Sequence, residues 1–181
     1  MKYAFLSIVF TCLLFQSYSQ DNSEQEKTSK QFYTEMGGAG IMFSANFDTR
    51  FSKASNFGLG TRIGIGFTIK DQDYYDPNGN YSNSVRTIPT LPFGLNYLFG
   101  KNGSAHTFEV GGGATYLFQK VEMLNYDSHR KEGYFMGYFT FMYRRQPVND
   151  GFTWRIGFTP LINTAGDIVP FAAAGIGFAF R

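Results

Sequence analysis

Apolar residues alternate with small or polar ones along most of this chain. Between positions 57 and 69 the odd sites hold Phe57, Leu59, Thr61, Ile63, Ile65, Phe67 and Ile69. The even sites hold Gly58, Gly60, Arg62, Gly64, Gly66 and Thr68. A period of two over that length predicts a β-strand with one apolar face and one small or polar face. The same rhythm runs through residues 41–51, 85–99, 108–118, 135–143, 152–162 and 172–180, so seven strands are evident and no helical stretch competes with them.

Alternation alone leaves open which face points outward. A soluble, lipocalin-like barrel hides its apolar face and covers its outside with charge. Here the polar face is Gly, Thr, Asn and Ser with isolated Arg and Glu. The lysines fall mostly at strand ends or in connections, as Lys53, Lys70, Lys101, Lys120 and Lys131 do. Small residues with a few charges suit a narrow lumen, and a dense aromatic face suits lipid. Strands of about 12 to 15 residues also exceed the roughly 9 to 11 that a tilted strand needs to span a bilayer. The reading is a membrane barrel, with the soluble ligand binder as its alternative if the faces are reversed.

The connections carry the same message. Short ones at 52–56, 101–106 and 147–151 alternate with longer, polar ones at 70–83, 122–132 and 164–168. Outer-membrane barrels have short periplasmic turns and longer external loops. Phe51, Phe57, Phe99, Phe108, Tyr143 and Phe152 flank the short turns on the apolar face, and Phe180 completes the row as an aromatic girdle at one interface. Phe180 ends the last strand on the short-turn side, and an exported N-terminus begins on that side too. Seven strands would separate the two ends, so an eighth must precede Ile41. Residues 31–38 are the candidate, turning at 37–40, although the odd phase from Gly37 to Phe51 also fits one long bent strand. The predicted fold is all-β: an eight-stranded antiparallel up-and-down transmembrane β-barrel over residues 31–181.

Composition narrows the class. Of 181 residues, 19% are aromatic and 17% charged, with 21 Gly and 21 Phe. Gly at that frequency disfavours helices, and the aromatic content disfavours disorder. A formal charge of +2 gives no push toward nucleic acid. Residues 1–19 read as a secretory signal peptide: Lys2 is the positive start, residues 3–15 are an apolar run too short to span, and Ser17 and Ser19 precede cleavage before Gln20. Cys12 follows Thr11 within that run, which argues against a lipoprotein. Cleavage leaves no cysteine, so disulfide and thiol chemistry are not expected. Residues 20–30 are polar and predict a flexible N-terminal tail.

With these features in place the chain resembles small outer-membrane barrels of the OmpA/OmpX type. The resemblance rests on the Gly-aromatic ladder and on the ending Phe178-Ala179-Phe180. The run Glu35-Met36-Gly37-Gly38-Ala39-Gly40, then Phe43-Ser44-Ala45-Asn46-Phe47-Asp48, and also Asn96-Tyr97-Leu98-Phe99-Gly100, are similar to uncharacterised barrel proteins of the Bacteroidetes. The resemblance covers about residues 32–181. It implies location in the cell outer membrane, contact with outer-membrane lipid, and recognition of the C-terminal strand by the barrel-insertion machinery. A final aromatic residue is typical of the family, whereas here Arg181 follows Phe180. The resemblance implies no activity, because such barrels host unrelated functions.

Asp48, Arg50, Arg62, Arg86, Glu109, Arg144 and Arg155 are the charges assigned to the lumen face. Arginines outnumber acids, which would suit an anion-selective porin. An eight-stranded barrel, however, is just wide enough for its own side chains, so a salt-bridged plug is the favoured reading. A lipid hydrolase would need Ser, His and a carboxylate assembled near the outer rim. His106 falls in a short turn at the wrong end, and Asp127, Ser128 and His129 are neighbours in one loop rather than a pre-formed triad. Asp71, Asp73, Asp76 and Asn78 offer oxygen ligands but miss the calcium-loop spacing, and Asp-Pro-Asn-Gly is a turn sequence. Gly58-Leu59-Gly60, Gly111-Gly112-Gly113 and Gly175-Ile176-Gly177 lie inside strands and are not phosphate loops. No cofactor, no metal and no catalytic residue is assigned. The expected role is structural or surface contact through residues 70–83, where Tyr74, Tyr75 and Tyr81 sit, and 122–132. The partner would be at the cell surface or in a secretion machine.

Overall fold

The computed structural model describes residues 30–52, 55–75, 81–101, 103–121, 133–163 and 166–181. The proposed signal peptide and all of the proposed tail except Lys30 fall outside this set. The strands are β1 (Lys30–Gly37), β2 (Phe43–Arg50), β3 (Gly58–Tyr75), β4 (Tyr81–Gly100), β5 (His106–Val121), β6 (Gly133–Arg145), β7 (Gly151–Phe158), β8 (Leu161–Ile162), β9 (Ile168–Val169) and β10 (Ala172–Phe180). Each of β1 to β6 pairs antiparallel with the next. β10 then pairs with both β7 and β1, so eight strands close into a barrel. β8 and β9 form a small hairpin between β7 and β10, and β8 lies against β6.

The eighth strand is β1. Residues 37–51 are not one bent strand: a 3-10 turn at Gly38–Gly40 separates β1 from β2. Gly37 and Gly38 have φ of 74° and 71°, a region open to glycine, and the reversal they make switches the inward positions from odd in β1 to even in β2. Lys30 is already in β1, opposite Phe180 and Thr49, one residue ahead of the expected start.

Two expectations about strand limits are corrected. Residues 70–83 are not a loop throughout, because β3 runs to Tyr75 and β4 starts at Tyr81. β2 pairs with β3 only as far as Phe67, and β5 pairs with β4 only as far as Thr90, next to Pro89, which has no N–H to donate. Beyond that, Ile69↔Thr87 through Tyr75↔Tyr81 continue as a two-stranded ribbon clear of the wall. The β-favouring Tyr, Val and Thr residues in this segment extend the ladder. Residues 152–162 are also not one strand. At Thr159 and Pro160 the ladder breaks: Pro160 donates no N–H, and its carbonyl accepts from the Phe139 N–H at 3.0 Å. Thr159, Pro160 and Leu161 are buried in succession, so the phase is lost there.

The polarity is inside-out. Phe32, Phe47, Ile63, Leu95, Phe139, Phe178 and many other large apolar side chains are exposed on the outside, while arginines, acids and amides fill the inside. Lys30, Arg181 and the short turns lie at one end, called here the turn end. The β1–β2 turn, the ribbon and the β8–β9 hairpin lie at the other, the loop end. No helix among the described residues is long and apolar enough to cross a membrane.

Candidate functional site: the barrel interior

Because β-strand side chains alternate, every second residue of the eight strands converges on the barrel axis. Six of the seven charges assigned to that face lie there. Asp48, Arg50, Arg62, Glu109, Arg144 and Arg155 are each no more than 4% exposed. Arg86 does not join them and is a correction. It stands on the ribbon opposite Lys70, beyond the last wall contacts, and is exposed. Its phase is inward, but no barrel surrounds it at that height.

Glu35 of β1 completes the group and was missed. Its oxygens meet Arg62 Nη2 at 3.2 Å and Arg155 Nε at 3.2 Å. Arg155 Nη2 reaches Glu109 Oε1 at 2.8 Å, and Arg144 Nη1 lies 3.3 Å from both Glu109 Oε2 and Asp48 Oδ2. Asp48 Oδ1 accepts from Arg50. The result is an unbroken ion-pair chain: Arg62, Glu35, Arg155, Glu109, Arg144, Asp48, Arg50. Asn96 of β4 ties it to the wall by donating to Asp48 Oδ2 at 2.6 Å and to Glu109 Oε1 at 3.2 Å. Two rings add face contacts, with Arg155 Cζ 4.5 Å from the Tyr33 ring centroid and Arg62 Cζ 5.1 Å from that of Tyr138. The wall has to be thin where the arginines lie. A Cβ on Gly175 would sit 3.1 Å from Arg155 Cγ, and one on Gly60 would collide with the Arg50 guanidinium. Glu35 shares the odd, inward phase of Gln31 and Tyr33, which is the signal that marks it in the sequence.

Above the ion pairs the interior turns apolar. Ala39 and Ile41 of the β1–β2 turn pack with Leu117, Met136, Tyr138, Leu161 and Val169, backed by Phe171. The turn reaches the far wall: Thr115 Oγ1 on β5, diametrically opposite β1, donates to the Ala39 carbonyl at 2.6 Å. Thr90 Oγ1 on β4 donates to the Gly40 carbonyl at 3.2 Å. Ile41 has φ 75° and is 3% exposed, a conformation costly for a β-branched residue and held by its packing.

The residues assigned to the girdle stand at the turn end. Phe99, Phe108 and Tyr143 are direct cross-strand neighbours, and the Tyr143 and Trp154 rings lie 5.2 Å apart. Phe51 and Phe152 are exposed there, Phe57 is half-buried against Gly100, and Phe180 lies 6.4 Å from Phe47. His106 starts β5 at that end, and its Nδ1 contacts the Tyr143 hydroxyl. Asp127, Ser128 and His129 lie outside the described residues, as do Asp76 and Asn78. Asp71 and Asp73 are in β3, opposite Val85 and Asn83. Among the described residues no group of three or more His, Cys, Asp or Glu is placed to hold a metal ion.

A closed eight-stranded antiparallel barrel, apolar outside and ionic inside, has the fold of the OmpA-like outer-membrane barrels. The chain is similar in structure to the N-terminal β-barrel domain of Pseudomonas aeruginosa OprF, with a TM-score of 0.51 over 86% of this chain and 98% of that one. At 14% sequence identity the likeness is one of fold. No family model and no curated protein matches the sequence.

Proposed function

We propose that the chain is an exported, integral outer-membrane barrel with a closed lumen, whose role is structural or surface contact. The observation that carries this reading is the polarity: aromatic and aliphatic side chains cover the outside, and an ion-pair chain joins opposite walls within. Exposed apolar surface on that scale is unfavourable in water and favourable in hydrocarbon. Two layers support a closed lumen: the ion pairs, and the apolar layer over them that the β1–β2 turn completes. Contact with a partner falls to the projecting ribbon and to residues 122–132. Insertion into the membrane falls to the machinery that reads the last strand, where Ile176, Phe178 and Phe180 face outward.

The first test is a gel with and without boiling after folding in detergent, together with circular dichroism. A heat-modifiable band with a β spectrum is expected. A chain soluble without detergent that shows no mobility shift would sink the membrane reading and revive the lipocalin-like binder. Planar-bilayer recording tests closure: no steady conductance is expected, and an anion-selective one would make the chain a porin. Turnover of labelled lipid abolished by His129→Ala would make it a hydrolase instead. Antibodies to the ribbon should label intact cells, and failure to do so would end the surface-contact role.

A further inference from the structure

The exposed charges at the turn end are strongly one-sided. Among the described residues they are Lys30, Lys101, Arg145 and Arg181 against Asp150, with Arg181 Nε 3.7 Å from Asp150 Oδ1. Lys30 is directly opposite Phe180 on β10, and Arg145 is directly opposite Trp154 on β7. Residues opposed in an antiparallel pair share a face. Lys30 and Arg145 therefore emerge on the outer, aromatic side of the wall rather than over the lumen. Lys101 follows β4 two positions after the outward Phe99, away from these strands, so the cations grouped on β6, β7, β10 and β1 are Lys30, Arg145 and Arg181, the last beside Asp150.

We propose that this arc of β6, β7, β10 and β1 binds the phosphate headgroups of anionic phospholipids in the leaflet at the turn end. Two features select a lipid over a soluble acidic partner. The cations leave the wall on the face that carries Phe180, Tyr143 and Trp154, where ring and alkyl stem lie along acyl chains and the charge reaches the headgroup level. Their number and sign also complement a negatively charged leaflet, to which each cation near the surface adds attraction. This rests on the membrane-barrel reading above.

The chain's one tryptophan is a built-in reporter, because Trp154 lies within the arc. The folded chain is placed in vesicles containing either brominated phosphatidylglycerol or brominated phosphatidylcholine at equal mole fraction, and quenching of Trp154 is compared. Enrichment of the anionic lipid beside Trp154 by about five-fold per contributing cation is expected at low salt. It should fall toward one at about 0.5 M salt, where screening is short-ranged. K30Q/R145Q, or either change alone if the double variant folds poorly, should lower the enrichment, and R86Q at the loop end should leave it unchanged. Equal quenching by the two lipids, an enrichment that K30Q and R145Q do not reduce, or an equal loss in R86Q overturns the proposal. No quenching by either lipid overturns the membrane reading beneath it instead.

Discussion

Glu109 is the side chain whose loss tests the interior most sharply. It accepts from Arg155 at 2.8 Å, from Arg144 at 3.3 Å and from Asn96 at 3.2 Å, with no exposed surface. Glu109→Gln keeps the shape and removes one negative charge from a chain of four guanidiniums and three carboxylates. The charge imbalance doubles, and two arginines lose their shared counter-charge. Breaking a buried pair from one side costs about 3–5 kcal/mol, because the remaining charge stays desolvated. If water filled the lumen at this level, the same change would cost about 0–1 kcal/mol, as at a surface. The two cases are far enough apart to measure. Urea unfolding in lipid vesicles, followed by Trp154 fluorescence and by the unboiled gel band, should show the midpoint falling by at least about 1 M. Adding Arg155→Met should cost less than the sum of the two single changes. A midpoint for Glu109→Gln within error of the parent would refute a dry, closed interior.

Three further outcomes follow from particular positions. Ile41→Gly should be less destabilising than Ile41→Ala by about 1 kcal/mol, reversing the usual order, since both lose the packing beyond Cβ and only Gly relieves the φ of 75°; the same urea series measures it. Gly113→Ala should cost about 1–3 kcal/mol, because the added Cβ would lie 2.6 Å from Gly94 Cα and 2.7 Å from the Tyr138 hydroxyl; a thermal shift of the folded band reads this out. Arg86→Ala should change stability by less than about 0.5 kcal/mol, as an exposed ribbon residue outside the ion-pair chain; a loss like that of Glu109→Gln would place Arg86 back in the network.

Much of the barrel was legible because a strand's period of two writes inside and outside directly into the sequence. Residues 57–69 show this most cleanly, with Gly60, Gly64 and Gly66 at positions where a neighbouring carbonyl or side chain, the Arg50 guanidinium among them, needs room. What escaped had physical causes. The strand at 31–38 and its turn at 37–40 were legible, but Glu35 was not assigned to the lumen, because the inward positions are odd in β1 and even in β2 and the phase of residues 41–51 does not carry back across the turn. Arg86 was misplaced because phase gives the side of a strand but not the height at which the neighbouring strands stop. The break at Thr159 and Pro160 was hidden because Phe158 and Ile162 still match in phase, although Pro160 was the available signal. The apolar layer under the β1–β2 turn depends on contacts across the barrel diameter, which no local pattern encodes.

The pairing of β1 with β10 also bears on how the molecule is made. The first and last strands are separated by nearly the whole chain, so the seam between them is the most non-local contact in the fold and carries a large loop-closure cost. Glu35 lies on one side of that seam, and Arg155, its partner, on the strand next to the other side. The two charges can meet only after the C-terminal strand has docked. Assembly thus has a late step in which sheet closure and completion of the ion-pair chain arrive together, and a chain stopped short of Ala172 would be left with two open edges and with Glu35 held by Arg62 alone, without Arg155.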